Sequence, residues 1–314
     1  MPEASTPRAV EAVAALDVGG TKTTAALVTR QGQVVDRATA PTPGRAGASA
    51  VLDTAAGLVD RLRARSAGTS VRALGVGSAG VIDRTTGRVL SATDVLTGWA
   101  GTDLRGRLRE LLGLPVAVVN DVHAHALGEA RHGAAAGCET VLFVAVGTGV
   151  GASFVVGGTV LVGAHSAAGH AGHQPSRHAG SLPCTCGRRG HLEAIASGPG
   201  LVDEYARRTG RPVEDLRAVA ALAEGGDEAA GEVVRLGGTA VGSAVGGLVN
   251  MLDPDVVVIG GGVTGLGEPW WRALRAAVTR ETLPGLDAVP VLASALGADA
   301  PLLGAASLAW ETLS

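Results

Sequence analysis

The stretch LDVGGTKTTAALV, residues 16–28, joins two apolar runs through a turn of small and polar residues. An apolar run before Gly-Gly and a β-branched, Ala-rich run after it predict two tightly joined strands. Gly19 and Gly20 carry no Cβ, so an oxyanion could approach the backbone N–H groups there. Thr21 adds a hydroxyl and Lys22 a positive charge. The turn therefore resembles a phosphate cradle.

One residue of this stretch does not suit a bare phosphate. The carboxylate of Asp17 would repel the ligand unless a divalent cation lay between them, which indicates a metal-bound nucleotide. The alternative is an ordinary hairpin with a solvated Asp17 and Lys22. This stretch alone leaves both interpretations open.

The composition is that of a globular protein. With 314 residues and 46% hydrophobic content, the chain is long enough for two domains with buried cores. Its 48 glycines and 2% aromatic content predict interiors of Ala, Val and Leu with many tight turns. The net charge is −3 and the arginines are scattered, so no basic patch indicates nucleic acid or an anionic membrane as a partner. Small solutes are expected instead.

Targeting signals and disulfides are not expected. The first twenty residues lack a charged region followed by an apolar run and a cleavage site, and no uninterrupted apolar run would span a membrane. We therefore expect a cytoplasmic protein. Cys184 and Cys186 are too close in sequence for a structural disulfide, so they are expected to be metal ligands or free thiols, and Cys138 stands apart.

The chain follows one scheme twice. After the first hairpin come a third strand, an amphipathic helix over residues 48–65 and then β/α alternation, with a helix closed by Gly113 and a buried strand ending at Asn120 and Asp121. From Thr140, TVLFVAVGTGVGASFVVGGTVLVG repeats strand, Gly/Thr turn, strand, turn, strand. Such a repeat predicts two similar β-sheet domains, each with a Gly/Thr turn aimed at a common ligand.

Seven segments in order carry a family resemblance: DVGGTKT, GVGSAGVID, VVNDVHAHALGEA, VGTGVG, GHAGH, CTCGRRGHLEAIASG and VVVIGGGV. They span nearly the whole chain, which resembles the ROK family of sugar kinases. The resemblance implies an α/β, two-domain hexokinase and actin-like ATPase fold with duplicated ribonuclease H-like domains. The expected boundaries are residues 1–121 for a small N-terminal domain and 122–299 for a larger C-terminal domain, with a helix at about 300–314 packing back on the first.

The resemblance also implies ATP and Mg²⁺ in the cleft between two domains, a sugar hydroxyl as phosphoryl acceptor and a homodimer. The positions that match the family's nucleotide-binding residues are Asp17, Gly19, Gly20, Thr21, Lys22, Thr148, Gly149, Gly151, Gly260, Gly261 and Gly262. The turn of Gly19, Gly20 and Thr21 is then expected to contact phosphates and their metal.

Asp121 resembles the catalytic base of the family. Phosphoryl transfer needs alignment, charge neutralisation and a group that accepts the proton of the acceptor hydroxyl. Asp121 follows a buried strand, where open α/β sheets bind ligands. The alternative role is an N-cap for a helix starting at Val122. One rotamer cannot fill both roles, and Asn120 could share them.

The expected sugar site departs from a typical family glucokinase. Where the family has Glu-x-Gly-His, this chain has HAGH, with His170 at the glutamate's position. An imidazole can donate as well as accept hydrogen bonds, which suits a carbonyl oxygen. The segment AGHAGH and the later GRRGHLEAIASG resemble the N-acetylmannosamine kinases of the family, whereas Asp94 stands where the family often has Asn. The expected substrate-binding residues are Ser78, Gly80, Asn120, Asp121, His170, His173 and Glu193.

A second departure concerns a metal. The family's CxCGxxGC is CTCGRRGH here, so His191 replaces the third cysteine. With His173, Cys184 and Cys186 it forms a Cys₂His₂ set, which predicts a structural zinc with no catalytic role because protein ligands fill all four positions. The alternative is unligated thiols on a flexible loop. Glu193 resembles a carboxylate that binds sugar hydroxyls, a role compatible with starting a helix.

The remaining histidines carry no signal and are expected on the surface or in the core; they are His123, His125, His132, His165 and His178. Three functions stay open. The first is an ATP-dependent kinase for the 6-hydroxyl of N-acetylmannosamine, and the second is a hexokinase acting on glucose or mannose. The third is a sugar-sensing ROK repressor, which would need a helix-turn-helix before the first strand, where only about a dozen residues are expected. A catalytically silent sugar-binding protein is a weaker alternative.

Overall fold

The computed structural model of the chain describes residues 10–93 and 95–313, so the Asp94 position lies outside the described residues. The strands are β1 (Val10–Val18), β2 (Lys22–Val28), β3 (Val34–Pro41), β4 (Thr69–Ser78), β5 (Val81–Ile82), β6 (Val89–Ser91), β7 (Val116–Asn120), β8 (Thr140–Val146), β9 (Val150–Val156), β10 (Thr159–Val160), β11 (Val256–Gly260) and β12 (Val291–Ala293). The helices are α1 (Ala48–Arg65), α2 (Leu104–Leu112), α3 (Asp121–His132), α4 (Glu193–Ala196), α5 (Gly198–Thr209), α6 (Leu216–Glu224), α7 (Glu228–Leu252), α8 (Glu268–Glu281) and α9 (Ala300–Glu311).

The chain divides into two compact units. The first takes in the chain up to Gly133, residues 162–167 and residues from 298 onward, and the second takes in residues 134–161 and 168–297. The first unit includes α3, and so extends past the expected boundary at residue 121, because α3 packs against α9.

The first unit contains a five-stranded sheet in the order β3-β2-β1-β4-β7. β1 pairs antiparallel with β2, and β2 with β3, whereas β1, β4 and β7 run parallel. The predicted helix over residues 48–65 is confirmed as α1, and Gly113 closes α2 in the left-handed region at φ 66°. The core of the first unit combines apolar residues of β1 and β2 with one face of α1, as the amphipathic pattern of that helix predicts.

Helix α9 lies against β1, β4 and α3 within the first unit. A Cβ at Gly304 would lie 1.8 Å from the carbonyl oxygen of Ala124, so the backbones of α9 and α3 touch there. This close contact needs glycine and fixes α3, which begins at Asp121, on the sheet.

The second unit repeats the arrangement of the first. Its sheet has the order β10-β9-β8-β11-β12, with β8 antiparallel to β9, β9 antiparallel to β10, and β8, β11 and β12 parallel. Two copies of one antiparallel-then-parallel sheet are what the repeated sequence pattern predicts, and the fold class is confirmed. Within the described part of the chain, no helix has the length and apolar character that crossing a membrane requires.

Candidate active site

The first turn, Gly19–Thr21, connects β1 to β2 and is held from behind. The Gly19 N–H donates to the carbonyl oxygen of Lys22 at 3.1 Å. Thr42, which follows β3, donates its N–H to the carbonyl oxygen of Thr21 at 3.0 Å and its hydroxyl to that of Gly19 at 2.8 Å. These bonds fix the turn before any ligand arrives.

Gly20 lies close to the loop that carries Val95. A Cβ there would lie 2.4 Å from Cγ1 of Val95, a residue that is 58% exposed, so a larger residue at position 20 would require the Val95 side chain to shift. The sequence predicted glycine here for the approach of an oxyanion, and the turn itself does not reveal the contact with Val95.

Polar residues of the first unit collect at one edge of its sheet. Val18 pairs with Ser78, and Ser78 with Asn120, so the carboxyl ends of β1, β4 and β7 lie side by side. Asp17 and Asp121 flank these pairs along the chain. The carboxyl edge of parallel strands is where such folds bind ligands.

The two carboxylates at this edge affect each other. The pKa of Asp17 is raised to about 6, chiefly by burial and then by the negative charge of Asp121, with the positive charge of Lys22 acting in the opposite direction. A pair of like charges in a partly buried setting favours a cation between or beside them, and carboxylate oxygens are ligands that Mg²⁺ accepts. The residues therefore fit Mg²⁺.

Asn120 is the N-cap of α3. Its side-chain oxygen accepts from the N–H groups of Val122 at 2.9 Å and His123 at 3.3 Å, while its amide donates to the carbonyl oxygen of Gly80 at 2.9 Å. The alternative in which Asp121 is the N-cap is therefore wrong, since Asp121 is the first residue of the helix. Its Oδ1 also lies 2.9 Å from the Val122 N–H.

Ser78 is bonded to the loop that follows β4. It is fully buried, its hydroxyl donates to the carbonyl oxygen of Ala79 at 3.1 Å, and it accepts from the indole of Trp99 at 3.3 Å. These bonds support the loop, and the expected role of Ser78 in sugar binding stays a prediction. Gly80 in that loop has φ 100°, and a Cβ there would lie 2.7 Å from the carbonyl oxygen of Ser91, so glycine is required.

The second turn, Gly147–Gly149, connects β8 to β9 and is joined to a carboxylate. Oε2 of Glu193 accepts the Val150 N–H at 3.0 Å, and a Cβ on Gly149 would lie 2.7 Å from the same oxygen. Oε1 of Glu193 accepts the hydroxyl of Thr185 at 2.6 Å. Glu193 is the first residue of α4, as its helix-start interpretation predicts.

The three glycines at the end of β11 lie beside the second turn. Gly261 has φ 93°, and a Cβ there would lie 2.3 Å from the carbonyl oxygen of Val146, so no other residue fits. Gly260 ends β11, Gly262 begins a short 3-10 turn, and the hydroxyl-bearing Thr148 at the tip of the second turn is exposed. Gly151 lies within β9.

The four predicted zinc ligands come together. One ligand atom from each of them lies within 4.8 Å of every other. Sγ of Cys184 lies 3.5 Å from Nδ1 of His173, and Sγ of Cys186 lies 3.3 Å from Nδ1 of His191. In a tetrahedral zinc site, sulfur and nitrogen ligands are roughly 3.5 Å apart. The donor set and spacing therefore fit zinc.

His170 lies next to this cluster. Its ring stacks on that of His173 with 6.1 Å between centroids, and the His173 ring lies 5.7 Å from that of His191. His170 is exposed. The loop that would hold a metal therefore also carries the histidine expected to select the sugar.

Sequence reasoning missed Thr42 and Thr185. Thr42 lies 21 residues after the turn that it supports, and no local pattern points to it. Thr185 had a weak signal in the sequence, because it lies between two predicted metal ligands, and binding of a metal by both would fix the position of the residue between them. Neither hydrogen bond can be read from spacing alone.

Sequence comparisons with known proteins identify one family. The ROK family model matches residues 13–312. The chain is 31% identical to the glucokinase of Halalkalibacterium halodurans over 305 residues, 92% of each chain, and 34% identical to the N-acetylmannosamine kinase of Escherichia coli over 296 residues, 94% of this chain and 97% of that one.

A solved structure agrees. The ROK family glucokinase of Streptomyces griseus, in complex with glucose and AMPPNP, superposes with a TM-score of 0.81 at 30% identity, covering 96% of this chain and 99% of that one. The residues that the family model matches, 13–312, include strands of both sheets, both turns and the predicted zinc ligands. The chain therefore belongs to the ROK family.

Proposed function

We propose that this ROK protein, an ATP-dependent carbohydrate kinase, phosphorylates the 6-hydroxyl of N-acetylmannosamine. The relatives named glucokinase and N-acetylmannosamine kinase support sugar phosphorylation, and the AMPPNP complex of the Streptomyces griseus glucokinase supports ATP as the donor. In this proposal the glycine turns supply backbone N–H groups that bind phosphate oxygens.

Asp17 would hold Mg²⁺ near the first turn, and Lys22 would add a second positive charge. When bound, Mg²⁺ supplies positive charge that offsets the charge on the phosphoryl oxygens. The raised pKa of Asp17 supports this role, because a nearby cation relieves both its burial and its repulsion by Asp121.

Asp121 would act as the base. Its carboxylate takes the proton of the sugar hydroxyl while the hydroxyl oxygen forms a bond to the γ-phosphorus and the bond from that phosphorus to the leaving oxygen of ADP breaks. Because Asn120 caps α3, the Asp121 carboxylate is not needed as the cap. Its position at the start of a fixed helix supports the assignment.

His170 is the observation that carries the sugar proposal. It stands where a typical family glucokinase has glutamate, and imidazole can donate to the oxygen of an N-acetyl group, which a carboxylate would repel. A site built around such a polar contact strongly rejects an analogue that lacks it.

Glucose or mannose is the second candidate substrate. The 31% identical glucokinase and the glucose complex of the Streptomyces griseus enzyme favour it. We further propose a structural zinc in the Cys₂His₂ cluster, a homodimer and a cytoplasmic location with no nucleic acid or membrane partner. Metal analysis and size-exclusion chromatography address the first two.

Steady-state kinetics with ATP and four sugars tests the substrate. We expect kcat/KM to be highest for N-acetylmannosamine, followed by N-acetylglucosamine, mannose and glucose. His170→Glu should move the preference towards glucose, whereas His165→Glu, the same change at another exposed histidine, should not. Glucose as the best substrate of the unmodified protein would contradict the proposal in favour of the second candidate.

A further inference from the structure

We propose that Thr185, between the two cysteines of the metal cluster, is a positioning residue that orients the Glu193 carboxylate for sugar binding. Because Thr185 lies on the loop of Cys184 and Cys186, here called the metal loop, this orientation depends on that loop keeping its conformation. This inference rests on the proposed function, in which Glu193 binds sugar hydroxyls. It assigns a role to a residue that the family motif leaves unspecified.

The two oxygens of Glu193 have different partners. Oε1 accepts the hydroxyl of Thr185 at 2.6 Å, and Oε2 accepts the N–H of Val150 at 3.0 Å. Two donors on opposite oxygens fix the rotation of the carboxylate plane. Each oxygen of a carboxylate can accept about two hydrogen bonds, so capacity for sugar hydroxyls remains on both.

The second turn limits where this carboxylate can go. A Cβ at Gly149 would lie only 2.7 Å from Oε2 of Glu193, so the carboxylate already fills the space beside the turn. Without Thr185, Oε1 loses its partner while Oε2 stays close to the turn. The carboxylate is then expected to rotate about the Val150 contact.

The metal loop determines where Thr185 lies. Its two neighbours are the predicted zinc ligands Cys184 and Cys186, and the Cys184 N–H donates to the carbonyl oxygen of Arg188 at 2.8 Å. The Gly187 N–H donates back to the carbonyl oxygen of Cys184 at 2.9 Å, closing a tight turn. A metal bound by both thiolates would hold the backbone on each side of Thr185, and hence its hydroxyl.

The test compares variants of Thr185 using the sugar that the unmodified protein phosphorylates best. Thr185→Val keeps the shape and removes the donor to a charged group, so we expect the KM for sugar to rise about tenfold, with kcat within about threefold. Thr185→Ser should restore the KM to within about twofold. Thr239→Val is the matched control, because its hydroxyl donates to the carbonyl oxygen of Arg235 in its own helix.

Two readouts separate positioning from a structural effect. Thr185→Val should retain zinc at the level of the unmodified protein, and calorimetric sugar titration should show the same tenfold loss as KM. Cys186→Ser should raise the KM for sugar at least as much as Thr185→Val, because it releases the loop that places the Thr185 hydroxyl.

The outcomes distinguish this inference from the proposed function. If the unmodified protein phosphorylates another sugar better than N-acetylmannosamine, the substrate proposal is wrong. The Thr185 variants can still be compared, using that other sugar. Equal KM values for the unmodified protein and Thr185→Val, or an unchanged KM for Cys186→Ser, would overturn this inference.

Discussion

The first turn, Gly19–Thr21, and the second turn, Gly147–Gly149, connect equivalent strands of two sheets with the same strand order, yet their carboxylates differ. Asp17 lies near Asp121 and Lys22, and burial with like-charge repulsion raises its pKa to about 6. Glu193 beside the second turn accepts two hydrogen bonds from the protein.

The difference shows how a duplicated hairpin can take on two roles. At the first turn, burial and the charge of Asp121 disfavour the ionised form of Asp17, and a bound cation or a proton offsets that cost. This environment suits metal binding. At the second turn the carboxylate is held by donors, which suits positioning. Variants in each unit should therefore affect different quantities.

The largest effect should come from Asp121→Asn in the first unit. An amide keeps the shape but cannot accept the proton, so kcat should fall by about 10²–10⁴-fold with sugar affinity largely retained. Kinetics and calorimetric titration measure both, with Asp60→Asn, at an exposed position of α1, as the control. Near-normal turnover would show that the first unit does not supply the base.

Next in size is the loss of zinc beside the second turn. We expect one zinc per chain in protein purified without added metal, and Cys186→Ser should lose it. A ligand present at a thousand times its Kd stabilises the folded state by about 4 kcal/mol, so the melting temperature should fall by several degrees. Cys138→Ser, outside the cluster, is the control. No zinc, with both Cys184 and Cys186 titrating freely, would contradict the site.

The next largest effect should come from Gly261→Ala, beside the second turn. Gly261→Ala forces a side chain into the left-handed region and towards the carbonyl oxygen of Val146, so unfolding free energy should drop by about 2–3 kcal/mol. Gly262→Ala is a matched control with open space at its Cβ and should change stability by less than about 0.5 kcal/mol. Equal stabilities in urea would mean that this loop does not pack as described.

The smallest effect should be a gain in stability from Asp17→Asn. The folded-state pKa of Asp17 is raised from 3.8 to about 6, so its contribution is favourable at low pH and is lost as the pH rises through about 6. Metal-free Asp17→Asn should therefore be more stable than the unmodified protein at pH 8, by on the order of 1–2 kcal/mol, and not at pH 4.

Urea unfolding in the presence of a chelator measures this difference. The same variant should have little kinase activity, since its amide is a poor ligand for Mg²⁺. If the stability gain of Asp17→Asn over the unmodified protein is no larger at pH 8 than at pH 4, the proposed difference between Asp17 and Glu193 is wrong.

Much of the fold was predictable because it depends on short-range patterns. The helix at residues 48–65 and the end of α2 at Gly113 follow from apolar periodicity and from a conformation that glycine adopts easily. The repeated strand and turn order predicted two similar sheets. The Cys₂His₂ cluster was predictable because the family resemblance aligns CTCGRRGH with a cysteine motif, and three of its four residues lie within eight positions of one another.

The sequence by itself determined the two hairpins, the duplicated sheets, the glycines of the turns and the set of candidate metal ligands. Only the tertiary structure decided that Asn120 caps α3 and that Ser78 is buried and bonded to the indole of Trp99. It also decided that Thr42 bonds to the first turn and Thr185 to Glu193. Strands and turns follow from local sterics and side-chain periodicity. The partner of a hydroxyl or a carboxylate depends instead on which distant segments pack together, and spacing along the chain does not encode that.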